Sequence, residues 1–224
     1  MREAEILRAF RERNRGRTVF LEHEVKGVLG EIGLSVPKGQ FFRVGDGVPR
    51  KPDLTFPLVV KVSSAKFSSK TDVGGVKTGI SNEEDLRKAF EELSRIKEAE
   101  GVLAEEMAPP GLEVIIGGIM DAQFGAVVMF GLGGVFVELF NDVTFGLAPL
   151  TKEDALWLMT QVKGSRLLDG YRGNPPVDKQ ELAAMMVSVS EMMATGIVKE
   201  IDLNPVVLYP GKALILDAKM QMLP

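Results

Sequence analysis

The stretch from Phe56 to Lys77, FPLVVKVSSAKFSSKTDVGGVK, constrains this chain more than any other. Leu58, Val59, Val60 and Val62 form a short, largely β-branched run with the composition of a buried strand, and Lys61 sits inside it. A lysine there either snorkels its ammonium to water or meets an anion. Taken alone, the residue reads most simply as part of an edge strand with one solvated face. The residues after the strand favour the anion: a polar loop rich in Ser and Lys, then Asp72-Val73-Gly74-Gly75, then a second strand at Val76–Ile80. Two strands joined across a glycine pair form a flap whose backbone can approach a ligand closely. A lysine on one strand, with Gly74 and Gly75 before the next, suits a polyphosphate clamp.

The remaining composition bounds the function. A chain of 224 residues, 45% hydrophobic, suits one large domain or two intimate lobes. A net charge of −4 gives no general case for nucleic acid as a partner. The absence of cysteine excludes disulfides, thiolate metal sites and cysteine nucleophiles. His23, the single histidine, excludes a histidine-rich metal site and reads as an exposed residue on the polar side of a helix. No long apolar run and no signal-peptide core near Met1 point to a membrane, so a cytoplasmic protein is expected.

Along the chain, residues 1–17 read as a solvated helical arm with Ile6, Leu7 and Phe10 on one side. Leu21, Val25, Val28, Leu29 and Ile32 keep helical spacing up to a stop at Gly33. From Gly39 to Phe56 the chain reads as loop. Ser81-Asn82-Glu83-Glu84 reads as a capping box for a helix that ends near Gly101, with Leu86, Phe90, Leu93 and Ile96 inward. Strands come next at Val102–Met107, Leu112–Ile119, Ala126–Phe130 and Val135–Leu139; the turn Gly131–Gly134 reads equally as amides facing an anion or as an ordinary tight hairpin. Thr151–Asp154 and Asp178–Glu181 open two further helices, whose spaced methionines read as core filling. The last feature is a hairpin, Val206–Tyr209 and Ala213–Asp217. Strands and helices mixed without strict βαβ alternation favour an α+β fold in two lobes.

That hairpin places Asn204, before Pro205, beside Asp217. Two oxygen ligands on a rigid pair of strands are what Mg²⁺ takes from a protein, with phosphates and water completing the octahedron. By spacing alone, a solvated acid cluster explains the pair equally well.

Three segments carry a resemblance in a fixed order: VKVSSAKFSSKTDVGGVKTGI, EVIIGGIMDAQFGAVVMFGLGGVFVELFNDVTFGLAPL (Glu113–Leu150) and EIDLNPVVLYPGKALILDAK (Glu200–Lys219). Together they resemble the ATP-grasp (beta-type) subunit of NDP-forming acyl-CoA synthetases, over most of the chain from about Leu21 onward. The resemblance implies an ATP-grasp fold with two α+β lobes clamping a nucleotide. The smaller lobe would span 18–104 and the larger 105–224. It implies ATP/ADP and Mg²⁺ as cofactors, Lys61 on the phosphates and Asn204 with Asp217 on the metal. Glu105 and Met107 become candidates for adenine and Glu113 for the ribose or phosphate side. It also implies a separate CoA-binding alpha-type subunit as partner, and phosphoryl transfer between nucleotide and a partner phosphoenzyme. Two other readings stand beside this one: a nucleotide-binding paralogue or regulatory subunit, and a different ATP-grasp carboxylate ligase.

The chain departs from the family at three positions. Family members usually read SPxxxHK before Asp-Val-Gly-Gly, and that histidine relays the phosphoryl group; here Ser69 takes its place. Arginines usual in two other segments are replaced by Met120 and Gly146, which implies two lost phosphate ligands.

Overall fold

The structure is a computed structural model that describes residues 2–46, 52–67, 69–134, 141–173 and 175–224. The chain divides into two compact units. One comprises Leu21–Glu24 and Pro37–Pro109, the other Met1–Phe20, Val25–Val36 and Pro110–Pro224.

The smaller unit is a four-stranded antiparallel sheet with one helix. Strands β1 (Gly39–Arg43), β2 (Leu58–Ser63), β3 (Val76–Ile80) and β4 (Gly101–Glu106) lie in the order β1-β4-β2-β3. The side-chain alternation of β2 decides what each face does. Leu58, Val60 and Val62, with Val102 and Ala104 of β4, pack against Leu86, Ala89, Phe90 and Leu93 of helix α3 (Glu83–Ser94). Lys61 falls on the other face, on an internal strand, so the edge-strand reading does not hold.

The cap of α3 sits one residue later than Ser81–Glu84 suggests. Asn82 Oδ1 accepts from the Asp85 amide at 2.9 Å, and its Nδ2 donates to Asp85 Oδ2 at 2.8 Å. The helix also stops at Ser94, short of Gly101, and the chain then passes through Glu98 in the left-handed region (φ 71°). The segment read as loop contains β1, an edge strand that propensity hides behind its glycine and glutamine.

The larger unit is built on a six-stranded antiparallel sheet. Strands β5 (Leu112–Asp121), β6 (Gly125–Leu132), β7 (Val143–Leu147), β8 (Val198–Tyr209) and β10 (Ala218–Met222) run in the order β10-β8-β5-β6-β7. Strand β9 (Lys212–Ile215) also pairs with β8. Helix α4 (Lys152–Gln161) opens on the expected capping box, in which Thr151 Oγ1 accepts from the Asp154 amide at 3.1 Å and Asp154 Oδ2 accepts from the Thr151 amide at 2.9 Å. Helix α5 (Lys179–Ala194) is capped by Asp178, as expected.

Leu182, Met185, Met186, Val189, Met192 and Met193 of α5 are buried in one core with Ile116, Val128, Phe130, Ile201 and Leu203 of the sheet. The methionines are thus core filling. Each such side chain contributes about 1.5–3 kcal/mol by leaving water. The N-terminal helix α1 (Arg2–Arg13) is more than a solvated arm: Leu7 and Phe10 are buried, and the Phe10 and Phe20 rings lie 4.7 Å apart. Helix α2 (Glu22–Ile32) ends as its sequence indicates, at Gly33 with φ 107°. Strands β7 and β10 go beyond the sequence expectation, and the expected strand at Val135–Leu139 lies outside the described residues.

Candidate functional site

In the smaller unit, Lys61 is buried and doubly ion-paired. Its Nζ donates to Glu22 Oε1 at 2.8 Å and to Glu105 Oε2 at 2.7 Å. The β-sheet explains one pair. Lys61 stands opposite Leu103 on β4, so Glu105, two residues on, lies diagonally across on the same face. The other comes from the first turn of α2. There Glu22 also meets Lys70 of the flap, with 3.0 Å between Lys70 Nζ and Oε2. His23 stacks on Phe41 with ring centroids 3.9 Å apart and 12° between planes, so it is half-buried rather than exposed.

The flap itself is formed as expected, with β2 and β3 paired antiparallel. Its glycines work differently from an anion nest. The Gly74 amide donates to Thr71 O at 2.9 Å and the Gly75 amide to Lys70 O at 2.7 Å, so both are spent inside the turn. Gly74 adopts φ 63°. At Gly75 a Cβ would collide with Val62 Cγ1 and lie 2.8 Å from the Lys70 carbonyl oxygen. Gly75→Ala is therefore expected to destabilise the protein by about 1–3 kcal/mol through overpacking. Chemical denaturation measures this, and an unchanged midpoint would mean the turn repacks freely. Ser69 Oγ accepts from the Asp72 amide at 3.3 Å, which places it on the same turn.

Of the adenine candidates, Glu105 directs its carboxylate at Lys61, and Met107 is 41% exposed with its amide donating to Pro57 O at 3.0 Å.

In the larger unit, Glu113 on β5 has an exposed side chain, and its carbonyl accepts from the Gly133 amide at 2.8 Å. A Cβ on Gly133 would lie 2.9 Å from Glu113 Cβ, which is why glycine stands there. Gly131 and Leu132 are paired within β6. Among the described residues, Gly131–Gly134 is thus a strand end and a crossing point, not a row of amides facing an anion.

Asn204 and Asp217 are brought together. The Asn204 amide donates to Asp217 O at 3.2 Å, where the partner of β8 passes from β9 to β10. Between Leu203 and Val206, β8 carries one residue more than β5, a bulge centred on Asn204-Pro205. Bulges re-aim side chains next to functional sites. Asn204 is exposed and Asp217 half-buried. Lys26, buried in α2, braces the same place by donating to Leu216 O at 2.7 Å; sequence spacing carries no sign of that contact.

Gly146, where the family usually carries an arginine, is closely packed. Phe145 and Leu147 are exposed, whereas a Cβ on Gly146 would lie 2.8 Å from Leu158 of α4 and 2.9 Å from Leu150. Met120 shares its side of β5 with Gly118, where a Cβ would meet Met193 of α5 at 2.7 Å. Both positions face the helices, opposite to Asp202, whose neighbours Ile201 and Leu203 point into the core.

Among the described residues no helix is long and apolar enough to cross a membrane. The ATP-grasp domain family matches residues 11–222. The beta subunit of acetate–CoA ligase [ADP-forming] I from Pyrococcus furiosus is 40% identical over 210 residues, which is 90% of either chain. Acetate–CoA ligase [ADP-forming] II from Archaeoglobus fulgidus is 38% identical over 90% of this chain but only 30% of its own length. A solved structure of acetyl-coenzyme A synthetase 1 from Ca. Korarchaeum cryptofilum, in complex with coenzyme A and Ca-AMPCP, superposes with a TM-score of 0.89 at 38% identity. It covers 98% of this chain and 100% of that one. A second structure of that enzyme holds Mg-AMPPCP with its phosphohistidine segment pointing towards the nucleotide-binding site. With an antiparallel lysine sheet in one unit, an Asn–Asp pair at a strand bulge in the other, and these likenesses along nearly its whole length, the chain belongs to the ATP-grasp family of ADP-forming acetate–CoA ligase beta subunits.

Proposed function

We propose that this chain is the nucleotide-binding, beta-type subunit of an NDP-forming acyl-CoA synthetase. It works with a CoA-binding alpha-type subunit in a cytoplasmic hetero-oligomer. The observation that carries this reading is the two-way match to a separate beta subunit, 90% of each chain. The relative in which the matched part is 30% of one long chain supports the same division of labour. In this reading the smaller unit is the lobe expected at 18–104 and the larger the lobe expected at 105–224.

Lys61 is the phosphate-holding residue, prepared on an internal strand where Val60 and Val62 anchor the backbone on either side. Its ammonium already sits among carboxylate oxygens, so exchanging one of them for phosphate keeps it fully partnered. Met107 and the end of β4 serve the adenine, and Glu113 the ribose or phosphate side.

Asn204 and Asp217 suit Mg²⁺. They are two oxygen-bearing side chains on hydrogen-bonded neighbours, one of them exposed, which fits an ion that takes few protein ligands and keeps phosphate and water. Held there, Mg²⁺ would supply positive charge beside a transferring phosphoryl group. The chain's own residues bind and orient: Lys61 by charge, Asn204 through the bulge, and Lys26 by bracing the Leu216 carbonyl beside Asp217.

The experiment is calorimetry with ATP, with and without Mg²⁺. Asp217→Asn is expected to weaken Mg²⁺-dependent binding by about 10-fold, the equivalent of one charged contact, and to leave metal-free binding nearly unchanged. Equal loss of both would make Asp217 structural and move the metal elsewhere.

One observation favours a second reading. Ser69 stands where the family's relay histidine is expected, so the chain also fits a nucleotide-binding or regulatory paralogue without the relay.

A further inference from the structure

The charge cluster of the smaller unit ties the flap to the lysine beneath it. Glu22 spends its two carboxylate oxygens on two different cations, Lys61 at 2.8 Å and Lys70 at 3.0 Å. Lys70 belongs to the turn Ser69–Gly75, and its carbonyl accepts the Gly75 amide. The side chains of Glu22, Lys61, Glu105 and Lys70 are only 2–10% exposed, two cations among two carboxylates in the described ion pairs. A buried set of this kind is stable only while each charge keeps a partner. An anion arriving at Lys61 places negative charge beside Glu22 and Glu105, and like charges at such distances repel. Of those two carboxylates, Glu22 is the one that also holds the flap.

We propose that Glu22 is a positioning residue that latches the Ser69–Gly75 turn to Lys61. Phosphate and Glu22 then compete for the Lys61 ammonium, so phosphate there disturbs the carboxylate that holds the turn. The latch stands on the ion pairs alone; its coupling to nucleotide rests on the reading of Lys61 as the phosphate lysine. Coupling of this kind is reciprocal: what loosens the turn strengthens phosphate binding, and phosphate loosens the turn. Because Ser69 adjoins Lys70, the latch sets when the position of the family's relay histidine is held and when it is let go.

Hydrogen exchange on the full chain tests this at the amides of Asp72, Gly74 and Gly75, whose acceptors are Ser69 Oγ, Thr71 O and Lys70 O. Without ligand, Glu22→Gln and Lys70→Gln are each expected to speed exchange there about 10- to 100-fold, for the loss of the buried Glu22–Lys70 ion pair. The double variant should exchange no faster than either single one, since both cut the same contact. Unchanged exchange, or effects that simply add, would overturn the latch; Lys70→Gln alone decides the first point if Glu22→Gln folds poorly. With saturating Mg-ATP, exchange in the unmodified chain should rise and that of Lys70→Gln should not. Glu22→Gln should bind Mg-ATP about fivefold tighter or more, a gain that a merely structural residue would not give. Weaker binding by Glu22→Gln, or Mg-ATP binding without any change in exchange, would overturn the coupling. If the unmodified chain binds no Mg-ATP, the proposed function fails instead, and the ligand-free comparison still decides the latch.

Discussion

Replacing Lys61 with alanine is expected to damage this protein twice over. The substitution leaves Glu22 and Glu105 buried without the ammonium between them. Removing one partner of a buried ion pair typically destabilises by about 3–5 kcal/mol, because a charge stays behind in a poor solvent for it. Lys70 softens this at Glu22 but lies on the flap side of that carboxylate. Urea denaturation should therefore show a lower midpoint, and a loss well under about 1 kcal/mol would mean water reaches the cluster freely. Nucleotide affinity should fall as well, by about 10- to 100-fold for the lost charged hydrogen bonds to phosphate. Calorimetry on the folded fraction separates the two effects. Affinity equal to that of the unmodified chain would remove Lys61 from the nucleotide site while leaving its structural role intact. Lys61→Met sharpens the contrast: it keeps the apolar stem against the sheet and removes only the charge.

The second large effect concerns the relay. A histidine phosphoramidate hands its phosphoryl group readily to ADP, whereas a serine phosphoester lies in a much deeper well. With Ser69 at the relay position, no phosphohistidine is expected on the turn, and ADP-forming synthetase activity should be slow or absent even with the alpha-type partner present. Labelled ATP, Mg²⁺ and the partner, followed by mass spectrometry, locate the label. Brisk acyl-CoA-dependent ATP synthesis by the unmodified pair would overturn this expectation and assign the relay to another residue or to direct transfer. Ser69→His tests the converse. Ser69 Oγ accepts from the Asp72 amide, so the larger ring must give up that contact to be carried by the turn. Met120 and Gly146 still lack the arginines usual in the family, so Ser69→His alone is not expected to restore full activity.

Much of the architecture is legible in the sequence because its signals are local. A short β-branched run marks β2, and a glycine pair marks the flap, since both depend only on neighbours in the chain. The caps of α4 and α5 show in three or four residues each, as hydrogen bonds within one turn permit. The Asn204–Asp217 pair shows in a hairpin, the shortest tertiary contact there is. The edge strand β1 and the terminal strand β10 are hidden for the converse reason. Gly39–Arg43 has weak strand propensity of its own and is a strand because β4 pairs with it. Ala218–Met222 alternates cleanly, but its pairing with β8 emerges only when Ala218 meets Leu203 and Met220 meets Ile201.

The company each functional residue keeps is a matter of tertiary structure alone. Lys61 is 39 residues from Glu22 and 44 from Glu105, and no pattern within a strand or helix announces that a sheet diagonal and a helix start will converge on one ammonium. Glu105 lies in the segment expected at the adenine, and the pleat turns its carboxylate onto the lysine. The flap glycines are legible as a tight approach, but that their amides bond within the turn is not. Alternation along β7 turns Gly146 toward Leu158, which sequence order alone does not show. The residue types and their order are chemistry that sequence states directly. Which face a side chain takes, and which distant charge it meets, follow from pairing register and packing, and these exist only once the chain has folded.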